Sequence, residues 1–255
     1  MCAAAPNRAR RKPARGAALN SPARRAALNL PARRAALYPS ARPPFGADEF
    51  AAMFDVSRET MARCEALCAQ LHAWQQRHNL VSRTSLTQFW HRHMADSAQI
   101  LPLLPPADAG CIMDLGSGAG FPGLVLALLR PPEASAPIVL VEAQRKKVDF
   151  LRHMQAELGA PVRVLHRRVE EVTARDLPHA PAVLVARALK PLPQLLDMTE
   201  KFFTRANFAL FFKGRSWAKE LTLARQCWTM DATAWASITE EEAAILQLRR
   251  PRRLH

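Results

Sequence analysis

The sequence predicts an α/β fold in which a doubly wound, mostly parallel sheet carries helices on both faces and a small helical layer precedes it. Three observations point there. Short apolar runs at 111–115, 138–142, 162–166, 182–186 and 208–212 read as strands, and amphipathic stretches at 121–130, 144–158, 191–203 and 215–227 read as the helices between them. Such alternation makes parallel βαβ units with right-handed crossovers. A glycine-rich run, Asp114-Leu-Gly-Ser-Gly-Ala-Gly-Phe-Pro-Gly123, follows the first strand and opens the first helix of that series. Finally, apolar residues before position 105 recur at three and four residues, the helical period.

The elements follow in chain order. Residues 1–46 hold ten Lys/Arg and no acid, with Pro-Ala-Arg recurring at Pro13, Pro22 and Pro31. Nine residues is too short a period for a solenoid unit, and the prolines interrupt any long helix. This stretch reads as a disordered basic tail. A transit peptide is an alternative reading of its acid-free composition. From Asp48 onward, Phe50, Met53, Phe54, Met61, Cys64, Leu67, Cys68, Leu71 and Trp74 keep helical spacing. Ser57, three residues ahead of Thr60, is a helix start. Ser85 is placed to cap a second apolar-periodic stretch through Trp90, Met94, Ile100 and Leu101, closed by Pro102, Pro105 and Pro106. Residues 47–106 therefore form the helical layer, and 107–255 the sheet domain. Trp228 to Arg250 adds two further strands, Ile245 to Leu248 the clearer.

Composition bounds the function. The chain has 255 residues, 49% of them hydrophobic, and a net charge of +14. The tail carries +10 of that, and the other 209 residues carry only +4. An argument for nucleic-acid binding must therefore rest on where the body's cations sit. The five cysteines (Cys2, Cys64, Cys68, Cys111, Cys227) include no Cys-x-x-Cys pair, which suits a reducing, cytoplasmic setting. Cys64 and Cys68, one helical turn apart, read as small core residues rather than metal ligands. No run of 18 apolar residues is present, so no membrane span is expected.

The glycine run carries the chemistry. Gly116, Gly118 and Gly120 let the chain turn sharply and leave no Cβ between backbone and ligand. The following helix presents free N–H groups and a positive dipole end. Pro122 fits a first-turn position, where its missing N–H is not needed. Asp114 at the end of the strand suits a cationic or hydroxyl-rich cofactor. Gly118 to Gly123 also satisfies the dinucleotide fingerprint, with Glu142 about 20 residues on. The acid-first spacing Asp-x-Gly-x-Gly-x-Gly matches a methyltransferase loop for S-adenosylmethionine better than a bare pyrophosphate site.

Other candidates lie at strand ends, where doubly wound sheets bind ligands. Glu142 ends the second strand and can accept the ribose hydroxyls of an adenosine cofactor, or can be an exposed acid at a helix start. Lys146 and Lys147 follow at a position unfavourable to the helix dipole, which points to phosphate contact or a solvated face. Val169 and Glu170 stand after the third strand, where an acid meets an adenine amine or solvent. Arg187 ends the fourth strand, suited to an anionic or guanine-bearing target or to a salt bridge with the body's own carboxylates. Lys190 follows it, and Lys213 projects from the fifth strand's end. Neither an Asn/Asp-Pro-Pro-aromatic clamp for an exocyclic amine nor a Pro-Cys nucleophile is present. His93, Asp96 and Ser97 share one helix face beside Arg92, whereas His91 and His93 point apart and make no metal pair.

Together these motifs resemble the bacterial small-subunit ribosomal RNA guanine-N7 methyltransferases, also called glucose-inhibited division protein B. The carriers are NLVS at 79–82, RHMADS at 92–97, DLGSGAGFPG at 114–123, QRKKVDFL at 144–151, RVEE at 168–171, ARAL at 186–189 and LFFKG at 210–214. The resemblance covers about residues 55–250 and implies a class I methyltransferase fold with a seven-stranded sheet. It implies S-adenosyl-L-methionine as cofactor, held by Gly116, Phe121, Glu142, Val169, Glu170 and Arg187. Asp114, Gly118 and Gly120 complete the cofactor loop. Arg187, Lys213 and His93 would serve the reaction. Arg92, Lys146, Lys147 and Lys190 would meet RNA. The expected partner is 16S ribosomal RNA or the small ribosomal subunit, met by a monomer, with no metal and no membrane. Arg187, Lys213 and the Arg92/His93 helix end would make a basic rim around a guanine whose N7, carrying a lone pair and no proton, needs no general base. Three departures stand out: residues 1–46 have no counterpart, the stretch from Glu171 to Arg187 is longer, and Glu142 replaces the usual Asp. A nicotinamide oxidoreductase and a non-catalytic RNA-binding module are the rival readings.

Overall fold

The computed structural model describes residues 45–106, 109–131, 136–204 and 207–254. Residues 1–44, which hold the whole Pro-Ala-Arg repeat and all ten of the tail's Lys/Arg, lie outside the described residues. The sheet has seven strands: β1 (Cys111–Leu115), β2 (Ile138–Glu142), β3 (Val162–His166), β4 (Pro181–Arg187), β5 (Phe208–Lys213), β6 (Trp228–Ala236) and β7 (Ala244–Arg253). Their spatial order is β3-β2-β1-β4-β5-β7-β6. β1 to β5 pair in parallel, and β7 runs antiparallel between β5 and β6. The chain winds outward from β1 through β3, then returns to lay β4 on the other side of β1. The switch point between β1 and β4 is where a doubly wound sheet opens a crevice beyond its strands' carboxyl ends.

Alternation along the strands explains the two-sided core. Ile112, Leu140, Val183, Val185, Leu210 and Phe212 face one layer, and Met113, Val139, Leu184, Ala186, Ala209 and Phe211 face the other. Both faces are covered, so the central strands are apolar nearly throughout, Asp114 within β1 and the polar strand ends excepted. The first layer holds α5 (Gly123–Leu129) and α6 (Arg145–Glu157) together with the whole N-terminal helical segment: α1 (Ala47–Phe54), α2 (Arg58–Gln75), α3 (Arg83–Leu86) and α4 (Asp96–Ala98). Phe50, Leu67, Leu71 and Met94 share one buried cluster with Leu124 and Phe150. Arg63 ties α2 to the sheet domain, its Nε and a terminal nitrogen donating to the Leu158 carbonyl at 3.1 and 2.7 Å. The second layer holds α7 (Leu192–Thr199) and α8 (Trp217–Ala224).

Element boundaries depart from the sequence reading at informative places. Ser57 caps α2, accepting from the Thr60 N–H at 3.2 Å, as its spacing predicts. The cap of α3 is Ser82, which accepts from Ser85 N–H at 3.1 Å, so Ser85 is inside the turn it was expected to open. The stretch after it is no regular α-helix: Phe89–Ala95 forms a π-helical turn. Such wide turns occur as short insertions and frequently at functional sites. Pro122 stands at the cap of α5 rather than in its first turn. β6 and β7 together make a long hairpin, much longer than the four-residue strand legible at 245–248.

Candidate active site

The glycine loop bridges β1 and α5 at the switch point. Gly116, Gly118 and Gly120 all have positive φ (64°, 60° and 93°), a region that side-chain-bearing residues rarely adopt. Gly116 is also steric: a Cβ there would come within 2.5 Å of Leu189 Cδ1. Gly118 differs, because a Cβ there would meet only the Gly116 carbonyl oxygen, at 3.9 Å. The loop is therefore packed from behind at Gly116 and open at Gly118.

Asp114 does not face the ligand side. Its side chain is fully buried, and Oδ2 accepts the Gly123 N–H at 3.0 Å, so it fastens the first turn of α5 to β1. Alternation explains the turn inward: Asp114 lies within β1, two residues after Ile112, on the face that packs against α5. Burial pushes its carboxyl up to about 7, against the Gly123 hydrogen bond, which lowers it. Oδ1 has no hydrogen-bond partner among the described residues.

Glu142 ends β2 beside the loop. It is 6% exposed, and its carboxylate is held by two backbone donors, Gly118 N–H at 2.9 Å and Gln144 N–H at 2.7 Å. Each oxygen keeps a lone pair for another donor. Val169 is buried after β3, and Glu170 beside it is exposed. Lys146 is exposed and Lys147 half-buried at the start of α6. Gly118, Glu142 and the Val169–Glu170 turn thus follow β1, β2 and β3 in order along one edge of the sheet.

On the other side of the loop, Arg187 is the hub. One terminal nitrogen donates to the Arg92 carbonyl at 2.8 Å and to Asp96 Oδ2 at 3.0 Å. The other donates to His93 Nδ1 at 3.0 Å, and the guanidinium lies 5.3 Å from the Phe121 ring centre. Arginine has only donors, so His93 must accept at Nδ1 and carry its proton on Nε2. His93 stacks on Phe121 with ring centres 4.5 Å apart. Burial first, then the charges of Arg187 and Arg92, lower its pKa to about 3. His93 is therefore neutral and adds no charge to the basic rim expected of it. Asp96 turns its second oxygen to Thr239 Oγ1 at 2.6 Å and to Gln99 Nε2 at 2.8 Å. The sharing of one face by His93 and Asp96 survives the π-turn, but Ser97 does not join them: its buried hydroxyl has no partner among the described residues.

Lys213 also departs from expectation. It is 8% exposed and donates to the Lys190 carbonyl at 2.6 Å and to Glu220 Oε2 at 3.0 Å. Burial lowers its pKa, with Glu220 opposing that shift. The same Glu220 oxygen accepts Leu192 N–H at 2.8 Å. Lys213 therefore fastens the β4–α7 loop while also lining the cleft beside Arg187. That loop contains Ala188 at φ 53°, an unusual conformation for alanine, immediately after Arg187. Lys190 itself is exposed.

Arg187, Lys213 and their neighbours line a cleft of about 430 Å³, within the roughly 300–1,000 Å³ range of ligand sites. The π-turn contributes Arg92 and His93, the start of α4 contributes Asp96, β4 contributes Arg187, and the β6–β7 turn contributes Thr239 and Glu240. The sequence reading missed the last two. Among the described residues no group of His, Cys, Asp and Glu could hold a metal ion.

The family model described as rRNA small subunit methyltransferase G (GidB) matches residues 60–248. The chain is 45% identical over 206 residues to the "Ribosomal RNA small subunit methyltransferase G" of Rhodospirillum centenum, covering 81% of this chain and 91% of that protein. It is 40% identical over 203 residues to the protein of the same name from Parvibaculum lavamentivorans, covering 80% and 88%. Among solved structures, an S-adenosylmethionine-dependent methyltransferase from Aquifex aeolicus aligns with a TM-score of 0.50 at 13% identity, over 66% of this chain and 96% of that one. That last likeness concerns the fold alone.

Proposed function

Since the chain belongs to the rRNA small subunit methyltransferase G (GidB) family, we propose that its glycine loop and the adjoining cleft bring S-adenosylmethionine and a 16S ribosomal RNA guanine together for methylation at N7. The enzyme is an S-adenosylmethionine-dependent methyltransferase of small-subunit ribosomal RNA. The observation that carries the site assignment is the pairing of Gly118 with Glu142. The loop's open glycine and a carboxylate suited to a vicinal diol are joined by one hydrogen bond at the switch point.

The residues present fit the cofactor. Glu142, pre-aimed by two backbone donors, accepts the ribose hydroxyls. Gly118 presents backbone with open space before it, Gly116 and Gly120 let the chain turn there against packed leucines, and Phe121 joins the loop to His93 and Arg187. Val169 and Glu170 flank the adenine end. Asp114 acts from behind, holding α5 to the loop. When bound, S-adenosylmethionine supplies a sulfonium methyl, which the N7 lone pair takes without any proton leaving the base.

No general base is therefore required, and His93, its Nδ1 lone pair taken by Arg187 and its proton on Nε2, has no free lone pair to act as one. What the chain must provide is position, which supplies roughly 7–11 kcal/mol in well-oriented reactions. Arg187 is held by three partners. Its Nε–H and one further terminal N–H take no part in those bonds, and they suit an acceptor such as guanine O6 or a phosphate. Arg92, Lys146, Lys147 and Lys190 are accessible cations around the site, suited to the RNA backbone. The target guanine must lie in a loop or splayed strand, because a folded A-form helix hides its major-groove edge. Among the described residues no helix is long and apolar enough to cross a membrane.

The test is methyl transfer from labelled S-adenosylmethionine to protein-free 16S RNA and to assembled small subunits. Label in 7-methylguanosine on at least one substrate, reduced at least ~100-fold by Arg187→Ala, supports the assignment. Full activity of Arg187→Ala on both substrates refutes the role given to Arg187.

A further inference from the structure

We infer that Glu240 reads the Watson–Crick edge of the target base and so makes the enzyme specific for guanine. The inference rests on the reading of the cleft as the site of the target base.

Two carboxylates line the cleft, Asp96 and Glu240. Asp96 is committed: Oδ2 holds Arg187, and Oδ1 holds Thr239 and Gln99. Glu240 is exposed, and its side chain's one described hydrogen bond is accepted at Oε2 from Arg92 at 2.7 Å. Both side chains of that pair are well exposed, 41% and 48%, so water can replace the contact at little cost.

Glu240 nevertheless projects from a fixed platform. The turn that carries it is pinned where Ile238 N–H donates to Gln99 Oε1 at 3.0 Å and where Thr239 Oγ1 donates to Asp96. Ser237, Ile238 and Thr239 are all buried. A side chain that breaks its ion pair therefore moves without its backbone moving. Asp96 also joins this turn to Arg187, so the two walls of the cleft share one network.

The chemistry of guanine selects this residue. N1–H and the N2 amine are adjacent donors, and a carboxylate matches them with two parallel acceptors. Adenine offers an acceptor at N1 and is repelled. On the guanine ring O6 lies between N7 and N1. A base with O6 toward Arg187 can turn N1 and N2 toward the β6–β7 turn, which lines the same cleft. Once Glu240 takes the base, the Arg92 guanidinium is released to a phosphate.

The experiment compares kcat/KM on small-subunit RNA carrying guanosine at the mapped target with the same RNA carrying inosine there. Inosine keeps N7, O6 and N1–H and lacks the N2 amine. Wild-type protein is expected to lose ~10-fold or more on inosine, the worth of one charge-assisted hydrogen bond. Glu240→Gln, its fold checked by thermal melting, is expected to be slower on guanosine and to discriminate less than ~3-fold, since its amide offers a single acceptor. Arg92→Ala, which breaks the same ion pair but leaves the carboxylate, is expected to keep the wild-type ratio. Equal rates of the wild type on the two RNAs, undiminished discrimination by Glu240→Gln, or the same loss of discrimination in Arg92→Ala would each overturn the assignment. Transfer by the wild type to neither RNA would overturn the functional reading itself, and this one with it.

Discussion

Asp114 gives the sharpest quantitative prediction, because its burial and its function are separable. Burial raises its carboxyl from the ordinary 3.8 to about 7 in the folded chain. Between those values the native state holds a proton that the unfolded chain has released. Stability therefore falls as pH rises through this window and levels off above about pH 7. At ~1.36 kcal/mol per pKa unit, the loss between about pH 5 and pH 7 is ~3 kcal/mol. Asp114→Asn keeps an acceptor for the Gly123 N–H and removes the charge. Its amide sits where Oδ1 has no partner, a penalty of ~1–3 kcal/mol that does not vary with pH. The stability of Asp114→Asn relative to wild type should thus improve by ~3 kcal/mol on going from about pH 5 to pH 8. Other titrating groups are common to both proteins and cancel in the difference. Urea titrations without cofactor at several pH values measure it. A stability difference that stays flat across that range refutes the buried, proton-holding carboxyl.

Other outcomes follow from the same geometry. Glu142→Ala frees the Gly118 N–H and removes the diol acceptor, so calorimetry should show S-adenosylmethionine binding weakened ~10-fold or more. Gly116→Ala places a Cβ against Leu189 and imposes an unfavourable φ. Chemical denaturation should show a loss of at least ~1–2 kcal/mol. Lys213→Met leaves Glu220 without its ammonium while keeping the length of the stem. Stability should fall by ~1–3 kcal/mol, and turnover should fall with it as the Arg187–Leu192 loop loosens; an ammonium that served RNA instead would weaken RNA binding and leave stability intact. The activity profile should show no acidic limb from His93 near neutrality, because its pKa is lowered to about 3. An inflection near pH 6 that disappears in His93→Gln would contradict this.

The parallel part of the sheet was legible because its strands are short, largely apolar runs, the inner ones buried on both faces, bounded by amphipathic helices. Local composition alone then places β1 to β5. The glycine loop was legible for a different reason: three positive-φ positions in five residues leave little freedom in residue choice. What escaped notice depended on partners distant in sequence. Lys213 reads as a rim cation until Glu220 and the Lys190 carbonyl close around it. Asp114 reads as a ligand contact until strand alternation turns it toward Gly123, nine residues on. His93 reads as a cation until Arg187, from another element, sits against its ring. The π-turn is invisible because seven residues are too few to separate its period from 3.6. β6 and β7 blur because one face of the hairpin is wet and their apolar residues alternate with polar ones. Thr239 and Glu240 carry no motif at all, and only the fold brings them to Asp96 and Arg92.

The most direct measurement maps the methyl group itself. The purified full chain is incubated with labelled S-adenosylmethionine and small subunits from cells lacking the corresponding gene, and the RNA is then cleaved at 7-methylguanosine. The account predicts label at a single guanine, wholly at N7, that falls sharply with Glu142→Ala and Arg187→Ala. Label on another atom or base, or undiminished transfer by both variants, would contradict it.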